Sequence, residues 1–480
     1  MFIRNRLSAS IICLLFCCIN SYAQDTQYWT QQSGTRSALL GGAILAENKD
    51  NTSIIYNPGS FALLDTGSVS INANICKFEN IKMQNQLGQS KSFWNSQFGS
   101  LPLLVSGTIK LNNKRMKIGY GFATPVNFNF SGIVRVDGYY QIVADTESPG
   151  LEQLIAQESI YSKINETLLS IGLGYKVSKH WGFGISGLFT LRNQDYQKLA
   201  LTRMYLNAPD TPLVTTNLNQ SISYYTVRAA AKIGIMYHGE HVSFGLTFTT
   251  PSLNLFGSGT ISADVTGTNI KLDGVKRVNV VGDDTQEKLN PNYKSPFSVA
   301  GGVNWVLPNY SMLGITVEYH GHENIYDIMR GSTAAFFRPT SLYTALGADD
   351  FLRVKGAAKS ITNFAVGYEK VLSKNVTFDG SFSTNMTYYD KGLNATIGIK
   401  PYVSTWNIYQ VVAGGSFRVG RFFLNAGLVY ALGIDNYRNE KGVAANISET
   451  NFFNGAITIE RATYNAVGLI FGFTYNFKNK

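Results

Sequence analysis

The sequence predicts an all-β protein, a transmembrane antiparallel β-barrel of about fourteen strands. Three observations carry this: an export address at the start, strands that are greasy on one face and small or polar on the other, and tight turns alternating with long connections. The composition agrees. With 44% hydrophobic and only 15% charged residues, the chain is not a disordered tail. Gly 46, Tyr 27 and Phe 29 against Pro 12 and Cys 4 describe a strand-rich chain, not a disulfide scaffold. Beyond the first twenty residues no apolar run approaches the roughly 18–20 that a spanning helix needs, which excludes a helical membrane protein.

The address comes first. Arg4 and Arg6 precede the apolar stretch from Leu7 to Ile19, and Ser21-Tyr22-Ala23 forms a small-x-small cleavage site before Gln24. Residues 1–23 are therefore expected to be a signal peptide. A lipoprotein reading at Cys17 or Cys18 lacks the small residues that should precede the acylated cysteine. Cys13, Cys17 and Cys18 leave with the signal, so the mature chain keeps Cys76 and closes no internal disulfide. Losing Arg4 and Arg6 takes the net charge from +10 to about +8, which suits anionic headgroups; export argues against nucleic acid.

The strands follow from alternation. Val467, Leu469, Phe471, Phe473, Tyr475 and Phe477 alternate with Ala466, Gly468, Ile470, Gly472, Thr474 and Asn476. Successive strand side chains point to opposite faces, so this strand has an apolar exterior and a small or polar interior, the inverse of a soluble barrel. Leu313 to His320, Leu169 to Val177 and Phe422 to Tyr430 repeat the pattern. A soluble secreted sandwich would use one such face as its core, so no single strand decides.

Loop lengths decide. Strands are expected near 67–78, 100–111, 115–130, 166–178, 181–200, 219–238, 241–262, 292–306, 311–321, 360–371, 374–389, 403–419, 421–434 and 463–477. Tight turns fall at 112–114, 178–180, 238–241, 307–310, 372–374 and 419–421, and every other connection is much longer. Short periplasmic turns and long outer loops are the pattern of a bacterial outer-membrane barrel. Phe477 resembles the aromatic end such barrels present to their assembly machinery.

Residues 24–66 lack strand alternation. They contain Gly41-Gly42-Ala43, the polar run Glu47 to Thr52, and Asn57-Pro58-Gly59. This stretch resembles the plug of the FadL-type long-chain fatty acid transport family, with its glycine-rich start and Asn-Pro-Ala signature; Gly59 stands for the alanine. The resemblance continues in Gly119 to Pro125, Phe244 to Pro251 and Ser295 to Trp305. It implies a small N-terminal hatch over 24–66, a barrel over 67–480, and passive outer-membrane transport of long-chain fatty acids or similar molecules with lateral release into the bilayer. An apolar solute gains about 0.8 kcal/mol per CH₂ on entering lipid, so polar lipopolysaccharide is the barrier to bypass.

The resemblance also nominates residues. Gly41, Gly42, Asn57 and Pro58 would shape and tie the hatch. Pro125 would mark a gap in the wall, since proline removes a ladder hydrogen bond; an ordinary rim bulge reads equally well. Leu151, Leu154 and Ile155 have helical spacing within 149–164, where similar transporters capture ligand on an outer helical pair; simple loop packing is the alternative. Arg192, Arg228, Lys232 and Arg418 fall on the lumenal phase, where a ligand carboxylate would meet them, although such lumens are polar in any case.

Other classes have weaker support. His320 and His322 with Glu318, or His238 with His241, suggest a haem or metal site only by spacing, and no metal or cofactor is assigned. A general porin needs no hatch, and no local signature selects a hydrolase triad. The expected partners are a hydrophobic small molecule, outer-membrane lipid and lipopolysaccharide, and the assembly machinery; the expected state is a monomer in the outer membrane of a Gram-negative cell, without enzymatic activity.

Overall fold

A computed structural model describes residues 25–29, 32–47, 51–64 and 68–476, except 89, 100–103, 112, 114, 272–275, 333–351, 421, 443 and 449–455. The signal segment and Phe477 lie outside the described residues. The chain is almost wholly antiparallel strand, and no helix among the described residues is long and apolar enough to cross a membrane.

The strands run in order: β1 (Ser68–Gln84), β2 (Phe93–Gly99), β3 (Leu104–Lys110), β4 (Met116–Tyr140), β5 (Glu152–Lys176), β6 (Trp181–Tyr205), β7 (Leu213–His238), β8 (Val242–Thr249), β9 (Leu253–Lys271) and β10 (Arg277–Leu289). They continue with β11 (Ser298–Val306), β12 (Met312–His320), β13 (Glu323–Arg330), β14 (Arg353–Ala358), β15 (Ile361–Ser373), β16 (Val376–Asn385), β17 (Asn407–Val419), β18 (Phe422–Gly442) and β19 (Ala456–Asn476). Three short helices precede them: α1 (Thr35–Leu39), α2 (Ser53–Tyr56) and α3 (Pro58–Phe61).

Near the tight turns, neighbouring strands pair in sequence. β3 pairs with β4, β4 through β8 follow in turn, β8 pairs with β11, and β12, β15, β16, β17, β18 and β19 continue the ladder. β19 pairs with β1, and β1 pairs with β3, so the ladder returns to its start. The faces are inverted relative to a soluble protein. Ile171, Tyr175, Ile185, Ile233, Phe244 and Leu428 are exposed on the outside, while Ser186, Thr226, Asn363, Asp379 and Asn425 are buried inside.

Each tight turn expected from the sequence joins two strands, but the outer ends differ. β4 and β5 each run 25 residues, well beyond the roughly 9–11 that cross a bilayer. Beyond an apolar band nothing requires a uniformly apolar outer face, so the outward residues become mixed in polarity while the ladder and the inside–outside alternation of burial continue. Five expected strands are also interrupted or extended on this side: β2 continues β3 outward, β9 continues β8, β10 precedes β11, β13 continues β12, and β14 precedes β15. The expected strand over 241–262 breaks at residues 250–252, beside Pro251.

The helical reading of 149–164 is wrong. Residues from Glu152 onward belong to β5, whose burial alternates strictly along its outer half. Leu154 is buried, Ile155 is half-buried on the other face, and Leu151 is exposed before the strand. Leu154, Ala156, Ile160 and Ile164 share one face at period two; the spacing of Leu151, Leu154 and Ile155 fitted a helix only because it was read over a single turn.

Candidate functional site

The N-terminal segment sits inside the ring of strands because glycines leave it room. A Cβ on Gly184 would overlap Pro58 O, one on Gly182 would overlap Gly59 O, and one on Gly234 would overlap Asn57 Oδ1. Further round the same wall, Gly245 on β8 faces Leu45 O and Gly314 on β12 faces Ala43 O just as closely. Glycines on the inward phase near the turns therefore admit backbone against backbone. The high glycine content is the sequence signal for this seat, and reading the glycines only as a small face missed it.

Asn57 ties segment to wall. Its Nδ2 donates to Leu45 O (3.0 Å) and to Ile235 O on β7 (3.1 Å), while its Oδ1 accepts from Gly59 N (2.9 Å) and caps α3, whose first residue is Pro58. Lys232 Nζ donates to Ile55 O (3.0 Å), Ser186 Oγ to Ile54 O (3.0 Å) and Ser381 Oγ to Leu39 O (2.9 Å). Arg36 bridges Glu47 and Glu369. Gly41 and Gly42 have φ of 62° and 88°, which glycine adopts without strain, and Gly41 packs on Ser381. Asn57→Ala is expected to cost on the order of 3 kcal/mol, because it leaves buried groups unpaired at both ends of the tie. Heat denaturation and ion leak through bilayer-reconstituted protein measure it.

Residues 25–29 continue the segment outward. Trp29 Nε1 donates to Glu318 Oε2 (2.6 Å), and the Tyr28 ring stacks on His320 (4.2 Å between centroids) and Tyr388 (4.5 Å). The Asp25 carboxylate accepts from Val403 N (2.6 Å) and Ser404 N (2.9 Å). Burial pushes the Asp25 carboxyl from 3.8 up to about 6, against the opposing pull of those two amides. The folded state therefore holds this proton more tightly than the unfolded one. The stability it contributes is complete below about pH 3.8, declines as pH rises through about 6, and is then lost, a change of a few kcal/mol. Hydrogen exchange of residues 25–29, corrected for intrinsic rates, should show more protection at pH 5 than at pH 7.5, and Asp25→Asn should remove the difference.

Beside this segment lies a cationic and aromatic core. Arg192 Nη1 and Arg228 Nη2 both donate to Glu166 Oε1 (2.7 and 2.8 Å), and both guanidiniums lie against the Tyr293 ring (4.1 and 4.8 Å to its centroid). Arg192 Nη2 donates to Gln194 Oε1 (2.9 Å), as does Tyr224 Oη (2.7 Å). Tyr293 Oη meets Tyr388 Oη (3.0 Å), and Tyr388 Oη donates to Asp25 O (2.7 Å). Two buried guanidiniums thus share one carboxylate. Arg228 Nε has no hydrogen-bond partner among the described residues and is buried. Such a centre can take the head of an anion.

Of the expected lumenal cations, Arg192 and Arg228 come together here, and Lys232 instead holds the N-terminal segment. Arg418 does not join them. It lies exposed near a tight turn, its Nε donating to Gly420 O (3.4 Å). Glu166, Gln194, Tyr224 and Tyr293 were missed, although Glu166 stands directly across the ladder from Arg192. Of the histidines noted for their spacing, His320 is buried against Tyr28 and His322 is exposed past the end of β12, and no group of three His, Cys, Asp or Glu among the described residues could hold a metal ion.

The wall is irregular at Pro125. Ala123 pairs with Leu168 and Val126 with Glu166, so Thr124 and Pro125 together face Thr167 in a β-bulge. Above it, among the described residues, β4 has a ladder only on its β5 side. Toward β2 it is joined by side chains, with Asn95 Nδ2 donating to Ser131 O (2.7 Å) and Gln97 Nε2 to Asn129 O.

An all-antiparallel ring of strands, apolar outside and polar inside, with an N-terminal segment packed against its inward-facing glycines, is the class these features define. Its fold is similar to that of a Pseudomonas aeruginosa FadL homologue, at 11% identity with a TM-score of 0.58, covering 95% of this chain and 100% of that one. It is likewise similar to the Pseudomonas putida toluene transporter TodX (13% identity, TM-score 0.53, 95% and 100% covered) and the Ralstonia pickettii toluene transporter TbuX (11%, 0.51, 93% and 98%). The chain therefore has the FadL-type fold. No family model and no curated protein matches the sequence.

Proposed function

We propose that this protein carries hydrophobic solutes passively across the outer membrane, with residues 24–66 as a hatch plugging a fourteen-strand barrel, and releases them sideways into the bilayer. One observation carries the reading: a segment packs backbone to backbone against the inner wall, while above Pro125, among the described residues, no ladder joins β4 to β2. A greasy solute that cannot pass the hatch leaves through the side, where lipid receives it. The solute class we favour is a long-chain fatty acid, because the Arg192–Arg228 pair has one carboxylate partner too few and the unpaired Arg228 Nε can take a second. The tyrosines around the pair favour a second reading, a neutral aromatic hydrocarbon of the kind named for TodX and TbuX. The protein performs no covalent chemistry in either reading.

Uptake assays with a labelled fatty acid and with toluene, in cells lacking their own transporter, separate the two. Pro125→Ala restores an N–H that can close the wall, and fatty acid uptake should fall several-fold at equal amounts of folded barrel. An unchanged rate would remove the Pro125 gap from the route.

A further inference from the structure

The wall has a second seam, on nearly the opposite side. β10 pairs with β9, and β13 pairs with β14; among the described residues no ladder joins β10 to β13. Across the seam Asn292 N donates to Ile328 O (2.7 Å), Lys294 N to Tyr326 Oη (3.0 Å), and Gln286 and Ser332 exchange two bonds. The β2–β4 seam lies between the second and third strands of the ring, and this one lies between the eighth and ninth. A proline irregularity stands at the base of each. For the first it is Pro125 on β4 itself; for the second it is one strand away, on the seventh, where β8 ends at Thr249, Pro251 interrupts the strand, and the pairing of β7 with β9 passes over Leu255 between Val227/Phe256 and Arg228/Asn254.

The heights agree as well. Pro125 follows nine residues after the start of β4, and Pro251 follows nine after the start of β8. At about 3.3 Å per residue and a tilt near 40°, each lies on the order of 20 Å above the turns, close to the outer edge of an apolar band about 25 Å tall.

A cavity of about 410 Å³ opens at this base, lined by Pro251, Leu253, Asn254, Asn292, Lys294 and Glu323 together with Ser252 and Ser295. Inside, Ser295 Oγ bonds Arg228 Nη1, so the cavity abuts the arginine pair. Outside, Leu253, Leu255 and Phe256 are exposed and offer an alkyl chain an apolar track. The Lys294 ammonium rides on the Tyr326 ring (5.0 Å) at the cavity edge.

We propose that this notch is a second lateral portal, through which the carboxylate head of an amphiphile passes from Arg228 to Lys294 while its tail enters lipid along Leu253, Leu255 and Phe256. This rests on the transport reading above. Glu323 on the far lip repels the same carboxylate, which keeps the notch a place of transit: binding must be strong enough to admit the head and weak enough to let it leave.

The test closes each seam separately in a Cys76→Ala background. Asn292→Cys with Ile328→Cys joins the second seam on oxidation, and Asn95→Cys with Ser131→Cys joins the first; the reduced protein is the folding control for each. Oxidising the first pair should leave residual fatty acid uptake, oxidising the second should lower uptake by about half, and oxidising both should abolish it. A diazirine-bearing long-chain fatty acid should label residues 251–256 and 292–297, and Lys294→Gln should reduce that labelling several-fold. If the first lock alone stops uptake and the second changes nothing, the second portal is refuted while the transport function stands. If fatty acid uptake never depends on the protein, both fall.

Discussion

Removing residues 25–64 should turn a closed protein into an open pore. The deleted segment fills the lumen with Leu39, Leu40, Ile54 and Phe61, all fully buried, and hydrogen-bonds inward-facing groups of β6, β7, β16 and β18. The barrel wall carries its own ladder and keeps folding, so the expected phenotype is conductance raised roughly tenfold or more in a planar bilayer, with sensitivity to bulky antibiotics in cells. A point variant reaches the same state. Gly184→Val puts a branched side chain where Pro58 O already sits, and no rotamer removes a clash with the Cβ itself. A barrel that stays closed after both changes would mean the segment is not a plug.

The second large effect is expected at the arginine pair, where two variants pull apart structure and recognition. Glu166→Gln removes the carboxylate that both guanidiniums share and leaves two buried cations facing each other across Tyr293. Breaking a buried ion pair from one side costs about 3–5 kcal/mol, so a clear fall in thermal stability is predicted. Arg228→Met removes one cation and leaves Arg192 paired with Glu166, which makes this group of charges neutral. Its stability should change little, while uptake of fatty acid falls about tenfold and uptake of toluene does not, since a charge-assisted contact of about 1.4 kcal/mol or more is lost only by the carboxylate. Equal loss for both solutes would assign the pair a structural role.

How much of this was legible depended on what constrains each residue. Within the bilayer every wall strand must show lipid an apolar face and the lumen a small or polar one, so the alternation of Leu169 to Val177 located the inner end of β5. Outside the bilayer that constraint ends, and the outer half of β5 carries a period-two pattern on a mixed background that also fits one helical turn. The tight turns were legible because they are short and polar. Asn57-Pro58 was legible as a motif, yet two of its three side-chain hydrogen bonds go to Leu45 and Ile235, which no spacing connects to it. Arg192 and Arg228 were found by phase; their shared partner Glu166 is a cross-strand neighbour, visible only once the register of β5 against β6 is fixed. The glycine seat required knowing that a second layer of backbone lies inside, and Arg418 shows that inward phase alone does not bring a cation into the core.

The central claim is tested most directly by uptake of a labelled long-chain fatty acid in cells lacking their own transporter, with this protein present or absent at matched levels of folded barrel. The account predicts uptake that depends on the protein, needs no energised inner membrane, and falls with Arg228→Met. Uptake that is the same with and without the folded protein would contradict it.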